Sequence, residues 1–316
     1  MSLVIASQLD PDFNESLARH PSRPTILGVP EEEPWAAARE ADVLLVVPSP
    51  TWKRRPAPRP EIWPGRLKWV YSGSAGIDFY PDWLLDAPLV TCGRGVASDE
   101  IADYAIAAIY AQAKGLEAAT IHAREDWGPK VLGRVSGTTI GIVGLGAIGA
   151  EVARRGLALG AQVVAVRRSG TGGGADLAGV ELVANLTELA ARSDHIVLAL
   201  PATPETRGII GVEFLSRAQP HAHLINVARG SVVDQEALLA ALDAGQLAFA
   251  TLDVTEPEPL PAGHRLYTHP RVRLTPHISS NYLRVRHRLL EKVQDDLSRY
   301  LRGERPRDVV DRERGY

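Results

Sequence analysis

Cysteine is almost absent from this chain: Cys92 stands alone among 316 residues. A single thiol cannot close an internal disulfide, so a disulfide-stapled fold is excluded and a reducing compartment is suited. Long apolar runs are missing as well. No stretch reaches the ~18 residues a membrane-spanning helix needs, and no charged-then-apolar leader opens the sequence. Neither sign of charge is in excess, since 35 Lys and Arg stand against 38 Asp and Glu for a formal net charge of −3. That balance offers no general attraction to nucleic acid or to an anionic membrane. His122, His221, His264 and His269 lack the spacing of a metal site, and no internal repeat is visible. These absences leave a globular protein, read as soluble and cytoplasmic, with 45% apolar and 23% charged residues. Those proportions are ordinary, and the length suggests about two domains.

Short apolar runs alternating with helical stretches fill the first hundred residues. Strands are expected at Leu3 to Ala6, Thr25 to Val29, Asp42 to Val47, Lys68 to Tyr71 and Leu89 to Cys92, with helices at Phe13 to Arg19 and Trp35 to Ala41. A second array places strands at Thr139 to Val143, Gln162 to Val166, His195 to Leu200, His223 to Val227, Ala248 to Asp253 and Val272 to Thr275. Its helices are expected at Glu151 to Leu159, Leu186 to Ala191, Glu213 to Ala218 and Gln235 to Ala244. Near-continuous apolar strands separated by helices imply parallel sheets covered on both faces. Two longer helices, Asp99 to Leu116 and Asn281 to Leu301, fall where the chain would pass between domains. The second is expected to return to the first domain, followed by the polar, extended segment RGERPRDVVD. The expected domains are 1–98 with 283–316, and 99–282. TGGG at Thr171 to Gly174 reads as a flexible loop and KRRPAPRP at Lys53 to Pro60 as a basic, proline-rich connector.

The second array opens on TTIGIVGLGAIG, Thr138 to Gly149. An apolar strand breaks into Gly144, Gly146 and Gly149 ahead of a helical pattern. In that order, the first glycine permits a tight turn, the second lets a pyrophosphate approach the backbone, and the third lets helix pack on strand. The reading is a dinucleotide site built on Gly144, Gly146, Ala147, Ile148 and Gly149; a glycine-rich surface turn is the alternative. An acidic residue about 20 positions beyond such glycines usually binds the ribose hydroxyls of NAD. Here Arg167, Arg168 and Ser169 follow the second strand, where guanidinium groups suit a 2′-phosphate. NADP(H) is therefore favoured over NAD(H), and a solvated arginine pair at a strand end is the other reading.

Three further segments lie at strand ends, where open α/β sheets bind ligands: NVARGSVVD at Asn226 to Asp234, DVTEPEPL at Asp253 to Leu260 and TPHISS at Thr275 to Ser280. Together with the glycine motif, LPATPETRG at Leu200 to Gly208 and SGSAGID at Ser72 to Asp78, they resemble the D-isomer-specific 2-hydroxyacid dehydrogenase family. The motifs run in order from Ser72 to Ser280, and the likeness is weak before Ser72. It implies an α/β protein of two doubly wound parallel-sheet domains, a Rossmann cofactor domain and a flavodoxin-like substrate domain. It also implies a homodimer formed through the Asp99 to Leu116 helix and the following IHAREDWG, whose apolar positions fit an ordinary core equally well.

The residues make chemical sense by themselves. Reduction of a 2-oxo acid needs a cation for carboxylate and carbonyl, a proton donor for the developing alkoxide, and a hydride carrier. Arg229 supplies a planar cation and His277 an imidazole that titrates near neutrality. Glu258 would orient His277, since a neighbouring carboxylate favours an imidazolium. The resemblance makes Arg229, Glu258 and His277 the catalytic set; Glu256 is the competing carboxylate. By the same resemblance Asp253 contacts the nicotinamide side, and Pro201, Thr206 and Ala228 line the cofactor site. Ser74, Ala75 and Gly76 are placed at the substrate carboxylate, where small residues expose backbone N–H groups. Trp52 caps the substrate or is a core or interface aromatic, and Lys53, Arg54, Arg55 and Arg59 steer anionic substrates or form a solvated loop.

The expected activity is hydride transfer from NADPH to a small 2-oxo acid, glyoxylate or hydroxypyruvate first, giving a D-2-hydroxy acid. The expected partners are that small acid and a second copy of the chain. An NAD-dependent dehydrogenase is the nearer alternative, and a nicotinamide-sensing regulatory protein the more distant one.

Overall fold

The computed structural model describes residues 3–29, 32–53, 59–168 and 177–316. The chain divides into two compact units, Met1–Val96 with Tyr282–Tyr316, and Ala97–Asn281.

In the first unit the strands are Val4–Ser7 (β1), Thr25–Gly28 (β2), Val43–Val46 (β3), Trp69–Ser72 (β4) and Val90–Cys92 (β5). They pair in parallel in the order β2-β1-β3-β4-β5, the arrangement of a flavodoxin-like sheet. Both faces are covered, so the β3 sequence VLLV is buried throughout without alternation. Trp52, Trp63, Tyr80 and Trp83 fill one side of the sheet. Trp52 is fully buried there, and its indole N–H donates to Gln8 Oε1 at 2.9 Å. Of the readings of Trp52, the structure gives the core residue.

The helix Tyr282–Leu301 seats Val285, Leu289, Val293 and Leu297 in the same unit at four-residue spacing. Beyond it the chain turns back along β5. Val309 bridges Thr91 in antiparallel sense, Cys92 N–H donates to the Asp308 carbonyl at 3.2 Å, and Val310 N–H donates to Val90 at 2.9 Å. The polar tail thus covers the open sheet edge.

The second unit holds Thr139–Val143 (β6), Gln162–Val166 (β7), Val180–Leu182 (β8), His195–Leu198 (β9), His223–Asn226 (β10), Phe249–Leu252 (β11) and Val272–Leu274 (β12). All are parallel, in the order β12-β11-β10-β9-β6-β7-β8. Strand order runs one way from β6 through β7 and β8 and the other way from β9 onward, the doubly wound Rossmann pattern. Ligands bind outside the carboxyl ends of strands at such a reversal, here between β6 and β9. Strand β8 was absent from the sequence reading: it has three residues at a partly exposed edge, too few to show a period. The stretch read as a helix from Trp35 is a 3₁₀ turn, Pro34–Arg39. No helix among the described residues is long and apolar enough to cross a membrane.

At the opposite end of the second sheet, His195 and His223 open β9 and β10 with their rings 5.8 Å apart, and the His223 Nε2 lies 2.9 Å from the Thr251 hydroxyl. Burial holds both imidazoles below the ordinary value of 6.5, His223 well below, with His195 and Arg273 adding repulsion at His223. The native state therefore resists protonation, while the unfolded chain takes up protons as pH falls through about 6.5. Stability should fall as pH drops below about 6.5, with a slope of up to about 1.4 kcal/mol per pH unit for each such proton. Urea unfolding at about pH 7.5 and about pH 5.5 measures this. His223→Gln keeps a partner for Thr251 and should lose part of that decline; an unchanged decline would remove His223 from the explanation.

Candidate functional site

The chain leaves β6 at Val143 and enters a turn made of glycines for two different reasons. Gly144 sits at φ +100°, and a Cβ there would lie 2.6 Å from the Ala199 carbonyl oxygen. A Cβ at Gly149 would meet the Gly144 carbonyl oxygen at 2.2 Å. At Gly144 the positive φ and the chain leaving β9 exclude a side chain, and at Gly149 the close packing of helix Ala147–Ala158 on the strand does so. At Gly146 a Cβ would meet nothing within 4 Å. That middle glycine leaves open space beside the helix N-terminus, which has Gly146 as its N-cap and no side chain capping it. Unsatisfied helical N–H groups facing open space are suited to a pyrophosphate, so the residues present fit a dinucleotide. The helix begins at Ala147, earlier than the sequence reading placed it, because Ala147 and Ile148 belong to its first turn.

Arg167 and Arg168 follow β7 directly, Arg167 half-buried and Arg168 exposed. Ser169 lies outside the described residues, as does the Thr171 to Gly174 loop. Beyond β9, the Thr203 N–H donates to Thr206 Oγ1 at 2.8 Å, and the Thr206 hydroxyl donates to the Pro201 carbonyl at 2.8 Å. The hydroxyl of Thr206 is thus engaged within its own loop. Glu205 in that loop has its carboxyl lowered by hydrogen bonding to Thr203 and to its own backbone, and further by the charge of Arg168.

After β10, Asn226 is buried and clamps the next turn. Its Nδ2 donates to the Arg229 carbonyl at 2.9 Å and its Oδ1 accepts the Ala228 N–H at 3.0 Å. Ala228 is buried, and its carbonyl accepts from Arg229 Nη1 at 2.8 Å. Gly230 follows with no room for a side chain, since a Cβ would come within 1.9 Å of the Thr255 carbonyl carbon. This contact packs the loop after β10 onto the loop after β11.

The loops after β11 and β12 meet at Asp253, which is 1% exposed. Its Oδ1 accepts the Thr275 hydroxyl at 2.7 Å and the Ile278 N–H at 2.8 Å, its Oδ2 accepts the Ser279 N–H at 2.8 Å, and its carbonyl accepts the His277 N–H at 2.8 Å. Asp253, which the resemblance puts at the nicotinamide side, thus also anchors the TPHISS turn. His277 projects from that turn at φ +55°, and its Nδ1 lies 2.9 Å from Glu258 Oε1. Both side chains remain about one-third exposed, at 37% and 34%. The competing Glu256 is tied through its backbone, its N–H donating to Gln235 Oε1 at 3.1 Å. When Nδ1–H donates to the carboxylate, Nε2 is left as the imidazole's working atom.

In the first unit, SGSAGID leaves the end of β4. The Ser74 hydroxyl donates to the Gly76 carbonyl at 2.7 Å, and buried Ser72 links Ser74 to the Tyr80 hydroxyl, each at 3.1 Å. Among the described residues, neither the Ala75 nor the Gly76 N–H meets a protein acceptor. No group of three or more metal-binding side chains gathers among the described residues.

A profile of the NAD binding domain of D-isomer specific 2-hydroxyacid dehydrogenases matches residues 106–279, more than half of the chain. The chain belongs to the D-isomer specific 2-hydroxyacid dehydrogenase family. Glyoxylate reductase from Korarchaeum cryptofilum (strain OPF8) is 40% identical over 234 residues, 71% of this chain and 69% of its own length. Glyoxylate/hydroxypyruvate reductase A from Serratia proteamaculans (strain 568) is 33% identical over 264 residues, 80% and 82% of the two chains. The crystal structure of a D-isomer specific 2-hydroxyacid dehydrogenase from Xanthobacter autotrophicus Py2, in complex with NADPH and MES, matches with a TM-score of 0.81 at 30% identity, covering 100% of this chain and 99% of the other.

This 2-hydroxyacid dehydrogenase is accordingly an NAD(P)-dependent oxidoreductase with a Rossmann domain. Its second unit gathers the carboxyl ends of β6, β7, β9, β10, β11 and β12 on one side of one parallel sheet, and every described site residue read there from sequence follows one of those ends. The sequence reading missed Asn226 and Thr275. Both stand inside quoted motifs, and the signal that finds them is a polar side chain at a buried strand end, which needs a partner.

Proposed function

We propose that this dehydrogenase reduces a small 2-oxo acid to the D-2-hydroxy acid with NADPH, and that Arg229, Glu258 and His277 carry the reaction. The pairing of His277 Nδ1 with Glu258 at 2.9 Å, at the carboxyl ends of the same parallel sheet that carries the glycine turn, is the observation that supports it most. When bound, the nicotinamide supplies the hydride that the C2 carbonyl accepts. His277, protonated, gives the Nε2 proton to the carbonyl oxygen and is reprotonated from solvent. Glu258 holds the ring and balances its charge in the protonated state. The Arg229 guanidinium binds carboxylate and carbonyl oxygen. Ala75 and Gly76 N–H groups bind the carboxylate, with Ser74 fixing their loop. In this reading 1–96 with 282–316 is the substrate-binding domain and 97–281 the cofactor domain.

Gly144, Gly146, Ala147, Ile148 and Gly149 would hold the pyrophosphate, with Pro201, Thr206, Ala228 and Asp253 bordering the rest of the cofactor. Arg167 and Arg168 would take the 2′-phosphate, helped by Ser169. The names of the relatives from Korarchaeum and Serratia support glyoxylate or hydroxypyruvate as substrate, and the NADPH in the Xanthobacter structure supports the cofactor. The homodimer reading is supported by the apolar residues Leu116, Trp127 and Val131, exposed at 64%, 81% and 101%. The lone buried thiol of Cys92 suits the cytoplasm.

Comparing kcat/KM for NADPH and NADH, with glyoxylate or hydroxypyruvate as acceptor, tests the proposal. NADPH should be preferred. Replacing Arg167 and Arg168 together with alanine should weaken NADPH by about 10- to 100-fold, the worth of one or two charge-assisted bonds, while sparing NADH. Equal losses with both cofactors, or a wild-type preference for NADH, would remove these arginines as the 2′-phosphate site.

A further inference from the structure

The turn that carries His277 has an anchor outside the strand-end motifs. Tyr104 lies on the helix Ser98–Lys114, and its hydroxyl is 2.5 Å from Thr275 Oγ1. The direction of that bond follows from its neighbour. The Thr275 hydrogen is directed at Asp253 Oδ1, 2.7 Å away, so Thr275 receives and the phenol donates. Burial raises the Tyr104 pKa above the ordinary phenol value, which keeps the donating proton in place. A three-member chain results: phenol to threonine hydroxyl, threonine hydroxyl to buried carboxylate. The same carboxylate accepts the Ile278 and Ser279 N–H groups, and the Asp253 carbonyl accepts that of His277.

His277 needs this support. A non-glycine residue at φ +55° occupies a sparsely populated region of backbone space and stays there only when its surroundings over-determine it. The bonds to Asp253 supply that determination, and Thr275 fixes the rotamer in which the carboxylate offers both oxygens to the turn. Tyr104 in turn fixes Thr275. We propose that Tyr104 is a positioning residue for His277, acting through Thr275 and Asp253 and touching neither substrate nor cofactor. The proposal deepens the assignment of His277 as proton donor, on which its kinetic part rests.

Tyr104→Phe removes one oxygen and keeps the ring, and Tyr110→Phe on the same helix is the control. In the enzyme, Tyr104→Phe should lower kcat for the 2-oxo acid by about 10- to 100-fold, up to the scale expected for a catalytic group displaced by about 1 Å, and leave the NADPH Kd and the Tm near wild type. Nitrogen-15 spectra of the histidine rings, with the His277 signal assigned through His277→Asn, should show that signal shifted in Tyr104→Phe, while the His221 and His264 signals stay. An unmoved His277 signal overturns the proposal whatever the kinetics. So does a kcat within about twofold of wild type, or a loss of NADPH affinity and Tm in step with kcat, which marks a purely structural role. Should the wild type turn over no 2-oxo acid, the function proposed above fails, and the ring signal alone still decides for or against Tyr104.

Discussion

His277→Asn is expected to lower kcat by about 10²- to 10⁴-fold, the range that a positioned general acid contributes, with NADPH binding left near normal. Asparagine is the informative replacement because position 277 stands at φ +55°, which asparagine tolerates and most residues do not. The backbone of the turn is then kept, along with the Asp253 bonds that hold it, and only the proton donor is lost. The side chain is more than one-third exposed and pairs with Glu258, so little stability should go with it. Steady-state kinetics with fluorescence titration of NADPH separates the two effects. Retained turnover would mean that another group protonates the oxygen.

Arg229→Lys should cost about 10²- to 10³-fold in kcat/KM for the 2-oxo acid, comparable to removal of a donor that binds developing charge. Lysine keeps the positive charge and loses the planar fork, and at a site that must grip a carboxylate the fork carries the recognition. The local backbone should survive, because it is the Arg229 carbonyl that Asn226 holds at 2.9 Å, and any residue supplies a carbonyl. The substrate KM and kcat decide: Arg229→Lys with both near wild type would leave the guanidinium without the role assigned to it.

The parts of this enzyme that were legible in its sequence depend on neighbours close in the chain. The strand Thr139–Val143 and its three glycines declare themselves within a dozen residues, because a tight turn and a helix packed on a strand exclude side chains locally. What was not legible depends on distant partners. Tyr104 and Thr275 are separated by 171 residues, and neither identity announces the other. Glu256 and Glu258 stand in the same proline-rich loop; the resemblance chose Glu258, while its 2.9 Å approach to His277 is a property of the fold. The bonds of Asp253 to the TPHISS turn appear only once β11 and β12 are paired. Strand β8 and the tail on β5 carry too few apolar residues to betray a period, and each exists because an open sheet edge was there to receive it.

The most direct test of the account is to supply wild-type enzyme with NADPH and a panel of 2-oxo acids from glyoxylate and hydroxypyruvate upward in size, following loss of NADPH absorbance and identifying the product. The account predicts oxidation of NADPH with at least one small member and recovery of the matching D-2-hydroxy acid in equal amount. Failure of every member to oxidise NADPH, with the cofactor shown to be bound, would contradict it.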